Sequence, residues 1–241
     1  MNIITVSNYD EMSARAAEIL LAQVATKPDT LLGLATGGTP EGMYALLAEA
    51  YRAGKVSFAA CKSVNLDEYV GLGPDDAASY RYFMNDKFFN HIDIKPENTH
   101  VPDGKNPNPK AACAAYDKLL ADMGRIDFQI LGTGHNGHIA FNEPGDHFVA
   151  DTQVVDLDEM TIDANQRYFN SRDEVPRQAI SMGMRPLMNS KKALMLVSGE
   201  GKAEALYRAV TGPITPVLPA SILQLHRNLT IIADQAAMSK F

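Results

Sequence analysis

A chain of 241 residues, 46% hydrophobic and 21% charged, can fill one domain and has too ordinary a composition to stay disordered. Its 22 Lys and Arg are scattered and outweighed by 29 Asp and Glu, a net charge of −7 that argues against a nucleic-acid partner. No run approaches the ~20 apolar residues of a membrane helix. The start, MNIITVSNYD, lacks a signal-peptide pattern, and Cys61 and Cys113 are too few for a disulfide framework, so the expected setting is cytoplasmic.

A first strand begins directly after Met1, and amphipathic spacing predicts a helix over Tyr9–Thr26. Next come a strand at Leu31–Thr36 and a helix at Pro40–Ala53, with Thr39 as cap and Pro40 in the first helical position. A strand at Lys62–Asp67 precedes a helix at Ser79–Asn90, a surface loop at Val101–Pro109 and a helix at Pro109–Met123. Strands at Asp127–Gly132, Ala193–Gly199 and Asn228–Asp234, with a helix at Gly201–Val210, complete the pattern. Several strands are apolar on both faces, as in a covered parallel sheet. The alternation predicts an α/β fold, an open, mostly parallel sheet in a single domain over 1–241, with its site at the carboxyl ends of the strands.

Three polar loops fall at those ends. After the first internal strand, Thr36-Gly37-Gly38-Thr39 leads into a helix, so tight-turning glycines can aim backbone amides and two hydroxyls at an anion. A glycine turn needed only for sterics is the plainer reading; neither a Walker loop nor GxGxxG is present. Asp67 and Glu68 close the next strand, where partial burial can make a carboxylate a useful base, or where the pair can supply an Asx-type turn or a cap for the following helix. The third loop, GTGHNGHIAFNEP, gathers His135, Asn136, His138, Asn142 and Glu143 on a backbone loosened by Gly132, Gly134 and Gly137. His138 can move protons near neutral pH, with Glu143 to orient it. Metal ligation is the weaker reading, because His135 and His138 lie on a Gly-rich loop rather than a helix that would align them.

Taken together, LGLATGGTPEGMY, NLDEYVGL, LGTGHNGHIAFNEPG, NQRYF and SGEGKAEAL resemble the glucosamine-6-phosphate deaminase family along nearly the whole chain. The resemblance implies a Rossmann-like sheet with helices on both faces and an aldose–ketose isomerisation coupled to deamination, with no metal or organic cofactor. The substrate would be glucosamine 6-phosphate and the protein a monomer or small homo-oligomer. It implies Asp67 as the C2 base, His138 as the ring-opening group and Glu143 as its supporting carboxylate. Phosphate contacts fall on Gly37, Gly38 and Thr39, on Arg167 and on Lys202. Many members carry aspartate where this chain has Asn136, so a charged role at that catalytic position is absent. Residues 126 to 166 contain no Lys or Arg, so a dianionic substrate must draw cations from elsewhere, and Arg167 is the first.

Two alternatives remain in view. A 6-phosphogluconolactonase usually carries Asp-Glu-Arg where this chain has Asp67-Glu68-Tyr69, and differs after Gly-His. A sugar-phosphate sensor would need an attached DNA-binding module. Some relatives are activated by N-acetylglucosamine 6-phosphate at a second site, formed partly after the Asn-Glu-Pro-Gly motif. Here that stretch, Asp146 to Asp151, has two carboxylates and no cation, and little tail follows the last strand. Hyperbolic kinetics without activation by N-acetylglucosamine 6-phosphate are expected; a sigmoidal rate curve straightened by that compound would refute this.

Overall fold

The computed structural model describes residues 1–241. From the amino terminus run β1 (Asn2–Val6), α1 (Tyr9–Thr26), β2 (Leu31–Leu34), α2 (Gly38–Arg52), β3 (Lys62–Asn65) and β4 (Asp67–Tyr69). The middle holds α3 (Tyr80–Lys87), β5 (Thr99–His100), α4 (Pro109–Met123), β6 (Phe128–Leu131), β7 (Gln153–Asp156) and α5 (Glu159–Asn165). The remainder is β8 (Gln178–Ser181), α6 (Met184–Asn189), β9 (Ala193–Val197), α7 (Ala203–Thr211) and β10 (Leu229–Asp234).

Seven strands form one sheet in the order β1-β10-β9-β6-β2-β3-β5, every pairing parallel. Every residue of β2, β6 and β9 is buried. Since alternate strand residues point to opposite faces, both faces are covered, which is why β2 and β9 carry no polar side chain and β6 carries one, Gln129. From β2 the chain moves outward to β3 and β5, then returns to lay β6 on the other side of β2. The strand order thus reverses between β2 and β6, and a crevice opens beyond their carboxyl ends. Thr36 to Thr39 and Gly132 to His138 leave the sheet at that crevice.

Three differences from the sequence reading bear on the site. Helix α2 starts at Gly38 rather than Pro40, because Gly37 takes the left-handed region at φ 85° and is itself the cap residue; Thr39 lies in the first turn. The expected strand Lys62–Asp67 breaks at Leu66: its first part stays in the parallel sheet, and Asp67 begins β4 in a second sheet. That second sheet, β4-β8-β7, is antiparallel and pairs Asp67 with Ser181. Its strands span three or four residues each, too short for alternation to declare itself, and their partners are remote in sequence. The expected helix at Gly201–Val210 likewise begins as a 3-10 turn over Glu200–Lys202 before α7.

At the opposite, amino-terminal edge of the large sheet, Asp127 is buried and accepts Lys27 Nζ at 2.6 Å, Lys191 Nζ at 2.7 Å and the Leu31 amide at 2.9 Å. These donors hold its carboxyl below the ordinary range against the opposing effect of burial. The node ties β2 to β6 far from the crevice. Asp127→Ala should therefore cost ~1–2 kcal/mol, lowering the thermal midpoint by ~2–4 °C per kcal/mol. Catalytic constants of the folded protein should stay the same; calorimetry beside steady-state kinetics checks this.

Candidate active site

The crevice holds a cavity of about 410 Å³ whose lining draws on all three polar loops, together with Tyr80, Thr161, Arg167, Tyr168, Ser198 and Lys202. Thr36, Gly37, Gly38, Thr39, Asp67, Asn136 and His138 all line it, and Glu143 stands directly behind His138.

At one end is the start of α2. No side chain caps this helix, so the Gly38 and Thr39 amides, first-turn donors without helical acceptors, are left toward the cavity, with the positive end of the helix dipole behind them. Tyr9 on α1 braces the turn, its hydroxyl donating to Gly38 O at 2.7 Å and accepting the Gly42 amide at 2.8 Å. Arg167 and Lys202 line the same cavity, and neither forms an ion pair with any carboxylate. Lys202 is anchored by donating to the Thr133 carbonyl, and burial, with the Arg167 charge adding to it, lowers its ammonium to about 8. Two cations and open amides without a neutralising carboxylate make an anion site. The turn leading to Lys202 is held by Asp234 at the end of β10, which accepts the Ser198 hydroxyl at 2.5 Å and the Gly199 amide at 3.1 Å.

Neighbouring carboxyls, both raised by burial, differ in their hydrogen-bond partners. Glu68 accepts the amides of Tyr69, Tyr80 and Arg81 at 2.9, 3.0 and 2.9 Å, which places it at the start of α3 as a structural anchor. Asp67 is 7% exposed and accepts no hydrogen bond from the protein, so an Asx turn is not its role. Burial first, and the charge of Glu68 second, push its carboxyl up to about 8. Such a carboxylate is a stronger base than an ordinary aspartate, and it faces the cavity.

The third loop carries a hydrogen-bonded cluster. Glu143 Oε2 lies 3.2 Å from His138 Nδ1 and accepts Asn136 Nδ2 at 2.6 Å, while Glu143 Oε1 accepts the Thr161 hydroxyl at 2.6 Å. Asn136 also accepts the His138 amide at 3.2 Å. The amide therefore does what an ionised carboxylate at this place could not: it donates to Glu143 while its oxygen accepts a backbone amide. Nε2 of His138 makes no hydrogen bond to the protein. The glycines earn their places unevenly. Gly137 is left-handed at φ 83°, and the His138 ring lies so close over Gly134 that a Cβ there would sit 2.4 Å from it. Ala140, also lining the cavity, is the one non-glycine residue at positive φ, 51°, which the sequence did not signal.

Asn142 is structural. Its amide donates to Ile139 O at 3.0 Å and Met182 O at 2.8 Å, its oxygen accepts Gln153 Nε2 at 3.1 Å, and the loop is thereby tied to the second sheet. His135 lines the cavity near Lys202 and Arg167, which, after burial, hold its imidazolium below the usual range. No three His, Cys, Asp or Glu side chains are grouped as metal ligands. Thr161, Tyr80 and Asp234 belong to no motif that sequence reading singled out, and Ser198 entered only as the first residue of SGEGKAEAL, with no role of its own. Asp151, in the cation-free stretch, pairs with Arg185 of α6 at 3.1 Å, a partner that counting local charges missed.

The burial of Asp67 gives a stability prediction. An unfolded aspartate titrates near ~4, and Asp67 titrates at about 8 when folded. Below both values the carboxyl is neutral in either state; between them the folded protein holds a proton the unfolded chain has lost, so its stability falls as pH rises from ~4 to ~8. Asp67→Asn removes that titration. The variant should melt above the wild type at pH 8, by ~2–4 °C per kcal/mol recovered, with the difference vanishing toward pH 4. A lower midpoint at pH 8 would mean that the carboxylate has stabilising partners.

The family model for glucosamine-6-phosphate isomerases and 6-phosphogluconolactonase matches residues 7–232. The chain is 50% identical over 232 residues to glucosamine-6-phosphate deaminase of Lachnoclostridium phytofermentans, covering 96% of this chain and 98% of that one. It is also 50% identical over 237 residues to glucosamine-6-phosphate deaminase of Clostridium acetobutylicum, with 98% of each chain covered. The solved structure of a monomeric glucosamine-6-phosphate deaminase superposes with a TM-score of 0.97 at 46% identity over 99% of both chains. A 6-phosphogluconolactonase from Trypanosoma cruzi, at 18% identity and TM-score 0.79 over 100% of this chain and 96% of that one, shares the fold. With nearly its whole length matched, the chain belongs to the glucosamine-6-phosphate isomerase and 6-phosphogluconolactonase family.

Proposed function

We propose that this protein converts glucosamine 6-phosphate and water to fructose 6-phosphate and ammonia, acting as one catalytic unit over its whole length in the cytoplasm. The observation that carries the reading is Asp67: a buried carboxylate without a donor, opening into a cavity that holds a His–Glu pair and, elsewhere in its lining, an unpaired cationic anion site. Half identity over the full length to glucosamine-6-phosphate deaminases supports the substrate, whereas the lactonase structure contributes fold alone. No helix of the chain is long and apolar enough to cross a membrane.

The substrate phosphate is held by the Gly38 and Thr39 amides, the turn at Gly37, the hydroxyls of Thr36 and Thr39, and the cations of Arg167 and Lys202. His138 Nε2, free of protein partners, takes the proton of the anomeric hydroxyl and returns it to the ring oxygen, opening the ring to a C1 aldehyde. Glu143 balances the transient imidazolium, and Asn136 holds Glu143 in place. Asp67, in its ionised form, takes the C2 proton, giving an enolamine, and delivers it to C1. Water adds to the resulting C2 imine and ammonia leaves. A positioned proton-transfer group contributes about 10²–10⁴-fold, so both Asp67 and His138 carry a substantial part of the rate.

Purified protein should release ammonia from glucosamine 6-phosphate and leave 6-phosphogluconolactone at its spontaneous rate of hydrolysis. Asp67→Asn should lower kcat by at least about 10²-fold with KM nearly unchanged, since the lost group acts only as the C2 proton moves. Turnover of the lactone alone would overturn the proposal. Near-wild-type ammonia release by the variant would place the base elsewhere.

A further inference from the structure

Thr161 lies in α5, outside every recognised motif, and is 4% exposed. A threonine inside a helix ordinarily turns its hydroxyl back to the carbonyl one turn earlier. Thr26 and Thr211 do so here, donating to Ala22 O and Tyr207 O at 2.8 Å each. Thr161 does not. The start of α5 is already capped by Asp158, which accepts the Met160 amide at 2.8 Å, and the Thr161 hydroxyl instead leaves the helix to donate to Glu143 Oε1 at 2.6 Å. The same oxygen stands 3.5 Å from His138 Nδ1.

With its hydrogen committed to Glu143, the Thr161 oxygen offers only lone pairs to Nδ1. Glu143 Oε2 faces the same nitrogen at 3.2 Å. Nδ1 is thus bordered by two acceptors and no donor, an environment that favours a proton on that nitrogen. A neutral imidazole protonated on Nδ1 has its lone pair on Nε2, the nitrogen without a protein partner. Asn136 cannot replace this contact, because it donates to the other carboxylate oxygen. Nothing else in the cluster reaches Oε1, and His138 is the only titratable group in hydrogen-bonding contact with Glu143.

We propose that Thr161 is a positioning residue for the proton transfer at His138: its hydroxyl orients the Glu143 carboxylate and keeps the imidazole proton on Nδ1, leaving Nε2 as the acceptor. The assignment rests on the reading of His138 as the ring-opening group.

The test uses the full-length protein and three variants. Thr161→Val keeps shape and removes the hydroxyl, Thr161→Ala removes hydroxyl and methyl alike, and Thr161→Ser restores the hydroxyl without the methyl. Against glucosamine 6-phosphate, kcat of Thr161→Val and Thr161→Ala should fall about tenfold, the size expected for one hydrogen bond to a charged group. KM should change less than about twofold, and Thr161→Ser should recover kcat to within about threefold of wild type. Nitrogen-15 imidazole spectra of the free proteins give a readout independent of turnover. Wild type and Thr161→Ser should show His138 protonated on Nδ1, and Thr161→Val a mixture of tautomers. If one hydroxyl-free variant fails to fold, the other carries both measurements. Unchanged kcat and tautomer, a KM effect with kcat retained, or equal damage in Thr161→Ser and Thr161→Val would overturn the proposal and leave Thr161 a packing residue. Absence of ammonia release by the wild type would instead sink the functional reading, while the spectra would still decide whether Thr161 sets the tautomer.

Discussion

A carboxylate kept from water without a single donor is the constraint around which this molecule is arranged. Asp67 sits where the parallel sheet hands the chain to the antiparallel one, and the backbone pairing of β4 with β8 holds it there. The donors nearby do not reach it: the amides of Tyr69, Tyr80 and Arg81 all go to Glu68. Burial still lifts the Glu68 carboxyl to about 7 against the pull of these amides, whereas Asp67, without them, is pushed up to about 8. Side by side in sequence, one buried carboxyl is hydrogen-bonded and holds a helix start, and the other is left without a donor and faces the cavity.

The same division runs through the His loop. Asn142 and the Phe141 amide, which donates to Ser181 Oγ at 3.0 Å, fasten the loop to the second sheet. Phe141 packs with Tyr69 and Tyr80 at ring-centroid distances of 5.7 and 5.9 Å, so the loop and the strand bearing Asp67 share one small aromatic core. The second sheet therefore sets the spacing between base and imidazole, while the large parallel sheet sets the anion end. Helix α5 brings Thr161 to the dyad and passes through Gln166–Tyr168 to Arg167, so it serves both ends of the cavity. Strained or unpaired features, Ala140 and Asp67 among them, gather at this cavity, where a site is expected to depart from local optimality.

Much of the arrangement was legible from residues alone. Apolar runs and helical spacing are local signals, and α1 and α4 occupy the predicted limits, Tyr9–Thr26 and Pro109–Met123. Glycine-rich loops after apolar strands pointed to the carboxyl ends of the sheet, because open α/β folds bind there. Asp67, His138, Glu143, Arg167 and Lys202 stood out by chemical type and by the motifs holding them, and they do line or back one cavity. What local pattern could not supply was the second sheet, whose short strands depend on partners remote in the chain. It also could not separate Asp67 from Glu68, since adjacent carboxylates differ only in which amides reach them after folding. Nor could it find Thr161, whose hydroxyl is distinguished solely by the acceptor it meets. Residue type and local periodicity thus determined the elements and the chemical inventory. Burial, hydrogen-bond partners and the protonation states that follow were decided by tertiary structure, because they are properties of neighbours that the chain brings together only on folding.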